Sequence, residues 1–124
     1  MMTETEYQVL QERLQSVKAR IAAAAQKAGR EPSEILLVAA TKMNDAERVQ
    51  AAIQMGLTAC GENRVQELLE KYDKHAYDGA DLQFIGTLQT NKVKYLVGKV
   101  SLIQSVGSIK LAECIAKEAK KHEI

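Results

Sequence analysis

The chain has no tryptophan, one phenylalanine, one proline and two cysteines among its 124 residues. Each shortage excludes something. With so few aromatics, the stacking platforms that hold single-stranded nucleic acid have little to be built from. Cys60 and Cys114 lie far apart, with no CxxC pair and no clustered histidine, so zinc chemistry has no ligand set. Two cysteines cannot make a disulfide framework, and both fall in apolar patterns, as reduced core thiols of a cytoplasmic protein would. Charge of one sign is also lacking. Seventeen basic residues against sixteen acidic ones leave a net charge of +1, so no global field points to a nucleic acid or a membrane. No apolar run approaches the ~20 residues that cross a bilayer. The opening MMTETEYQVL is polar and acidic and does not read as a secretory leader.

What is present is ordinary for a globular domain: 46% hydrophobic and 27% charged residues in a length that suits one domain. Residues 4–28 predict a helix, with Leu10, Leu14, Val17, Ile21, Ala24 and Ala28 along one stripe. Thr3 and Glu6 are spaced for a capping box, and Gly29 and Pro32 supply the stop. Short apolar runs then alternate with amphipathic segments. The runs are Ile35–Ala40, Leu57–Cys60, Leu82–Ile85 and Val100–Ile103. The predicted helices are Asp45–Met55, Arg64–Tyr72, Asn91–Val97 and Ile109–Lys121, with Asn44, Thr90 and Ser108 as N-caps and Gly56 and Gly98 as stops.

Continuous rather than alternating apolar runs suit strands buried on both faces, and strand–helix alternation predicts a parallel sheet. The fold class is therefore α/β, an initial helix followed by four β/α units. Two architectures fit: an open doubly wound sheet, or half of a TIM (β/α)8 barrel, which needs eight units. In both, function sits at the C-terminal ends of the strands. Those ends read Thr41-Lys42, Gly61-Glu62-Asn63, Gly86-Thr87-Leu88-Gln89 and Gln104-Ser105.

Lys42 is the chemically pointed residue on that rim. A lysine held against apolar walls loses hydration and its pKa falls, and a neutral amine can attack an aldehyde. By spacing alone a solvated or salt-bridged lysine is the commoner outcome. Glu62 and Asn63 read as helix-opening caps. Asn91, Lys92 and Lys94 read as a solvated helix start, Ser105 and Ser108 as a turn and cap around Gly107, and neither His75 nor His122 has a partner in a cleft. VGKV at 97–100 lacks the upstream glycine of a P-loop.

Four stretches together, LLVAATK (36–42), ACGENRVQELLEK (59–71), LQFIGTLQTNKVKYLV (82–97) and LIQSVGSIKLAE (102–113), resemble the pyridoxal phosphate homeostasis proteins. Their fold is like the barrel domain of alanine racemase. The resemblance covers nearly the whole chain and implies a non-enzymatic protein that holds pyridoxal 5'-phosphate (PLP) as a Schiff base on Lys42. Asn63 would line the cofactor pocket, and apo forms of PLP enzymes would be possible recipients. Two departures stand out. Thr87 replaces the family's usual histidine, and the family runs to about twice this length, so the chain reads as an N-terminal half of one barrel domain. Phosphate in such barrels is bound by loops after strands seven and eight. A half barrel on its own is expected to leave strand edges open and to pair with a second copy. Alternatives are a racemase-type enzyme, which needs a second proton donor opposite the lysine, and an oligomerising module without PLP.

Overall fold

The computed structural model describes residues 1–124. Helix α1 spans Glu4–Lys27. The Thr3 hydroxyl caps it by accepting the Glu6 N–H at 3.1 Å. Past its end, Gly29 takes φ 74°, in the left-handed region that glycine enters freely. The predicted stripe is only partly inside. Ala25 is buried, Leu10, Leu14 and Ile21 are half-buried, and Val17 is 40% exposed. The helix leans on the rest of the chain along one shoulder: Arg48 pairs with Glu6 at 2.5 Å, and the Lys18 ammonium donates to the Gly56 carbonyl at 2.9 Å.

Four β/α units follow. They are β1 (Ala39–Ala40) with α2 (Ala46–Gln54), β2 (Ala59–Glu62) with α3 (Val65–Asp73), β3 (Asp81–Phe84) with α4 (Val93–Leu96), and β4 (Leu102–Ile103) with α5 (Ile109–Lys121). A 3-10 turn over Thr90–Lys92 leads into α4, so the predicted Asn91–Val97 helix is a 3-10 turn followed by one short α-helical turn. Asp45, not Asn44, caps α2 by accepting the Arg48 N–H. Gln89, not Thr90, stands at the cap position before the 3-10 turn.

All four strands are parallel, in the order β1-β2-β3-β4. That order decides between the two architectures. A doubly wound sheet reverses direction at a switch point, whereas a barrel adds each strand beside the last. The sheet is half of the barrel arrangement. Its register aligns Ala39 with Cys60 and Cys60 with Leu82, then Glu62 with Phe84 and Phe84 with Ile103.

The core lies between this sheet and its helices. Cys60, Leu82 and Phe84 pack with Val49, Leu68, Val93, Leu96 and Leu111. Phe84 and Leu68 are fully buried, and each contributes roughly 1.5–3 kcal/mol of transfer free energy. The other face of the sheet is less covered: Leu36 is 55% and Leu102 49% exposed. The expected buried strand Ile35–Ala40 joins the ladder only at Ala39–Ala40, and Ile35 and Leu36 are exposed. As the first strand, β1 has a neighbour on one side only. No helix is long and apolar enough to cross a membrane.

Candidate functional site

The C-terminal ends of the strands form the rim. Thr41 extends the β1–β2 ladder, its N–H donating to the Gly61 carbonyl at 3.0 Å. Lys42 follows in an exposed turn, and Met43 after it takes φ 64°, an uncommon conformation for a residue with a side chain. Asn63 follows β2 and is half-buried. Successive residues of a strand alternate between faces. Thr41 and Glu62 both point into the helix-covered layer, where the Thr41 hydroxyl donates to Glu62 Oε2 at 2.7 Å. The opposite face, that of Ala40 and Gly61, is the inner one, and Lys42 and Asn63 follow just past the strand ends, in a turn and a bend.

Two glycines allow close packing at these strand ends. A Cβ on Gly61 would stand 2.9 Å from the Ile85 side chain, and one on Gly86 would stand 2.7 Å from Asn63 Cα. Glycine at 86 thus lets the end of β3 lie directly against Asn63. Below the rim a polar ladder crosses the inner face: Gln104 Nε2 donates to Gln83 Oε1 at 2.7 Å, and Gln83 Nε2 donates to Asp81 Oδ2 at 3.0 Å.

On the helix side, directly behind Lys42, is a buried ionic network that the sequence reading missed. Glu62 does not cap a helix. It ends β2 with a fully buried side chain, and Arg64 stands at the N-cap of α3 without a side-chain cap. Glu62 Oε2 accepts from Thr41 Oγ1, from Lys71 Nζ at 2.9 Å and from the Tyr77 hydroxyl at 2.5 Å. Glu62 Oε1 is buried and unpartnered. Lys71 also donates to the Thr41 carbonyl at 2.7 Å and pairs with Glu67 at 3.2 Å.

Charge and burial shift the groups around it. Burial, then the hydrogen bond to Glu62, pushes the Tyr77 phenol far above its ordinary value. Burial, then the Glu62 charge, pushes the Cys60 thiol up to about 11. Partial burial works to raise the Glu67 carboxyl, but the Met43 N–H and the Lys71 ammonium outweigh it and hold the group below its ordinary range. Two signals for this network stood in the sequence: a glutamate inside the apolar run Ala59–Glu62, and Glu67 spaced four residues before Lys71.

The remaining candidates make no contact with Lys42 or Asn63. His75 and His122 are exposed, facing Asp78 at 3.6 Å and Glu118 at 3.7 Å. Lys92 and Lys94 flank the half-exposed ring of Tyr95 at 5.7 and 5.2 Å. Thr87 is exposed, and the Ser105 hydroxyl donates to the Ile85 carbonyl at 3.2 Å. Ser108 caps α5 as expected. A cleft of about 420 Å³ opens between α1, β1 and α2, and Lys42 is not in its wall.

No protein-family model matches this sequence. Curated relatives do. The pyridoxal phosphate homeostasis protein of Aquifex aeolicus is 47% identical over 115 residues, which is 91% of this chain and 50% of that protein. The protein of the same name from Pseudomonas aeruginosa is 36% identical over 107 residues, 86% of this chain and 46% of that protein. The chain thus spans about half the length of the curated relatives it matches. Among solved structures, an unknown protein from Bifidobacterium adolescentis superposes with a TM-score of 0.91 at 34% identity, over 100% of this chain and 55% of that one. PipY of Synechococcus elongatus, solved with PLP bound, gives a TM-score of 0.73 at 28% identity over 92% of this chain and 50% of its own.

Proposed function

We propose that this chain, which corresponds to the N-terminal half of the pyridoxal phosphate homeostasis proteins, supplies the lysine of a PLP-holding barrel domain. Lys42 is that lysine. The observation that carries the reading is its place: an exposed amine in the turn that ends β1, on the rim where such barrels bind their ligands. PipY, related over half its length, was solved with PLP.

The residues present fit the aldehyde end of the cofactor. The Lys42 amine would hold the cofactor by its aldehyde carbon, as a Schiff base formed with loss of water. Bound PLP supplies an electron sink. Asn63, at the end of the neighbouring strand, offers an amide to a polar ring edge, and Gly86 lets its backbone lie against the end of β3. The phosphate end belongs to loops after later strands in barrels of this kind, so phosphate anchoring falls to the rest of the barrel or to a second copy of this chain.

The protein is a carrier or buffer of PLP rather than an enzyme, with apo forms of PLP enzymes as recipients, and it works in the cytoplasm. The relatives are named for homeostasis, not for a reaction.

The test is an absorbance spectrum after PLP addition and desalting, on the chain and on Lys42→Ala. A visible band retained by the parent and lost in the variant is expected. An equal band in both would overturn the assignment of Lys42.

A further inference from the structure

Two side chains of α3 reach across to the β1 turn and take hold of the peptide groups on either side of Lys42. The Lys71 ammonium donates to the Thr41 carbonyl at 2.7 Å, just before Lys42. Glu67 Oε2 accepts the Met43 N–H at 2.8 Å, just after it. Lys71 and Glu67 are themselves joined at 3.2 Å across one helical turn. Lys71 is anchored in turn by Glu62 at 2.9 Å, with side-chain exposures of 7% and 0%. Glu62 also holds the Thr41 hydroxyl.

The arrangement does more than fill space. A buried ion pair is poor value for stability, because apolar side chains of similar volume often do as well. Here both charges are directed at backbone groups of a loop 24 and 30 residues away in sequence. The loop needs holding. Met43 stands at φ 64°, and a left-handed residue other than glycine persists only where its surroundings fix it.

We propose that the Glu67–Lys71 pair is a positioning device for Lys42, fixing the peptide on each side of it and so the direction in which its amine leaves the rim. The role of that amine rests on the function proposed above. The backbone clamp rests on the geometry alone. Neither residue touches the cofactor in this scheme, so both are positioning residues.

The experiment compares the parent chain with Glu67→Ala, Lys71→Met and Leu68→Ala, the last a core control on the same helix. Two readouts are taken. One is amide hydrogen exchange at Met43 under native conditions. The other is the share of label at Lys42, relative to the other lysines, after brief PLP treatment with cyanoborohydride, which reduces the C=N bond, followed by peptide mapping. Losing a hydrogen bond to a charged acceptor should speed Met43 exchange by about tenfold in Glu67→Ala, and the Lys42 share should fall in the same variant. Leu68→Ala should lower thermal stability without changing either readout relative to neighbouring amides and lysines. Parent-like exchange and labelling in Glu67→Ala would overturn the proposal, as would the same two changes in Leu68→Ala. If Lys71→Met does not fold, Glu67→Ala decides, since it leaves the Lys71–Glu62 pair in place. A parent chain with no preference for Lys42 would overturn the Schiff-base reading, and Met43 exchange would then judge the clamp by itself.

Discussion

Gly86 lies against the backbone of Asn63: a Cβ at position 86 would stand 2.7 Å from Asn63 Cα and 2.8 Å from its carbonyl carbon. Backbone atoms cannot swing aside as a flexible side-chain tip can. Gly86→Ala should therefore destabilise by about 1–3 kcal/mol, the usual cost of overpacking, and shift the Asn63 resonances. Urea denaturation and an NMR fingerprint spectrum check both. An unchanged midpoint would mean that β3 is not pressed against Asn63.

Lys71 and Glu62 should behave as one unit. Lys71→Met leaves a buried carboxylate without its cation, and breaking such a pair costs about 3–5 kcal/mol. The double variant Glu62→Gln/Lys71→Met removes both charges and should regain most of that loss. Chemical denaturation of the three proteins tests this. A double variant no more stable than Lys71→Met would show that the charges are not the source of the effect.

Stability should fall in acid. Glu67, Asp45 and Asp81 all sit below their ordinary values of 4.5, 3.8 and 3.8. The causes differ: the Met43 N–H and Lys71 outweigh burial at Glu67, the Arg48 backbone N–H acts first at Asp45, and Ser101 then Gln83 act at Asp81. Depressed carboxylates stabilise the fold above their unfolded values, and that contribution is lost as the pH falls through the folded ones. Thermal midpoints should thus decline below about pH 4.5, with a shallower decline in Glu67→Gln. The same slope in both would remove Glu67 from the account.

The two thiols should separate by reactivity. Cys60 is fully buried with its thiol pushed up to about 11, whereas Cys114 is half-buried, its thiol 3.6 Å from the Thr90 carbonyl oxygen. At pH 8 a thiol reagent should label Cys114 in the native protein and Cys60 only on unfolding, because the thiolate is the reactive form. Native labelling of Cys60 at the same rate would contradict its burial.

The sequence carried the order of elements well. Helix α5 runs Ile109–Lys121 as its periodicity and the Ser108 cap predict. Choosing a barrel over a doubly wound sheet needed the strand order, which no single strand's composition encodes. The apolar run Ile35–Ala40 looked buried because composition does not say whether a neighbouring strand is there to cover it. Lys42 could be placed on the rim from the strand end alone. The clamp behind it could not. On α3, a stripe through Val65, Leu68, Leu69 and Tyr72 leaves Lys71 on the surface, yet the helix is turned so that Lys71 is buried and Tyr72 is 37% exposed. The buried Lys71 meets the Glu62 carboxylate at 2.9 Å, a tertiary partner that helical periodicity does not weigh.

The central claim is that Lys42 is the amine that takes up PLP. Its most direct test is borohydride reduction of the PLP-treated, desalted chain, with the pyridoxyl group located by peptide mapping. The account predicts one dominant adduct at Lys42, absent from Lys42→Ala, with the variant's thermal midpoint close to the parent's because the side chain is exposed. A label spread over the surface lysines, or an equal yield from Lys42→Ala, would contradict it.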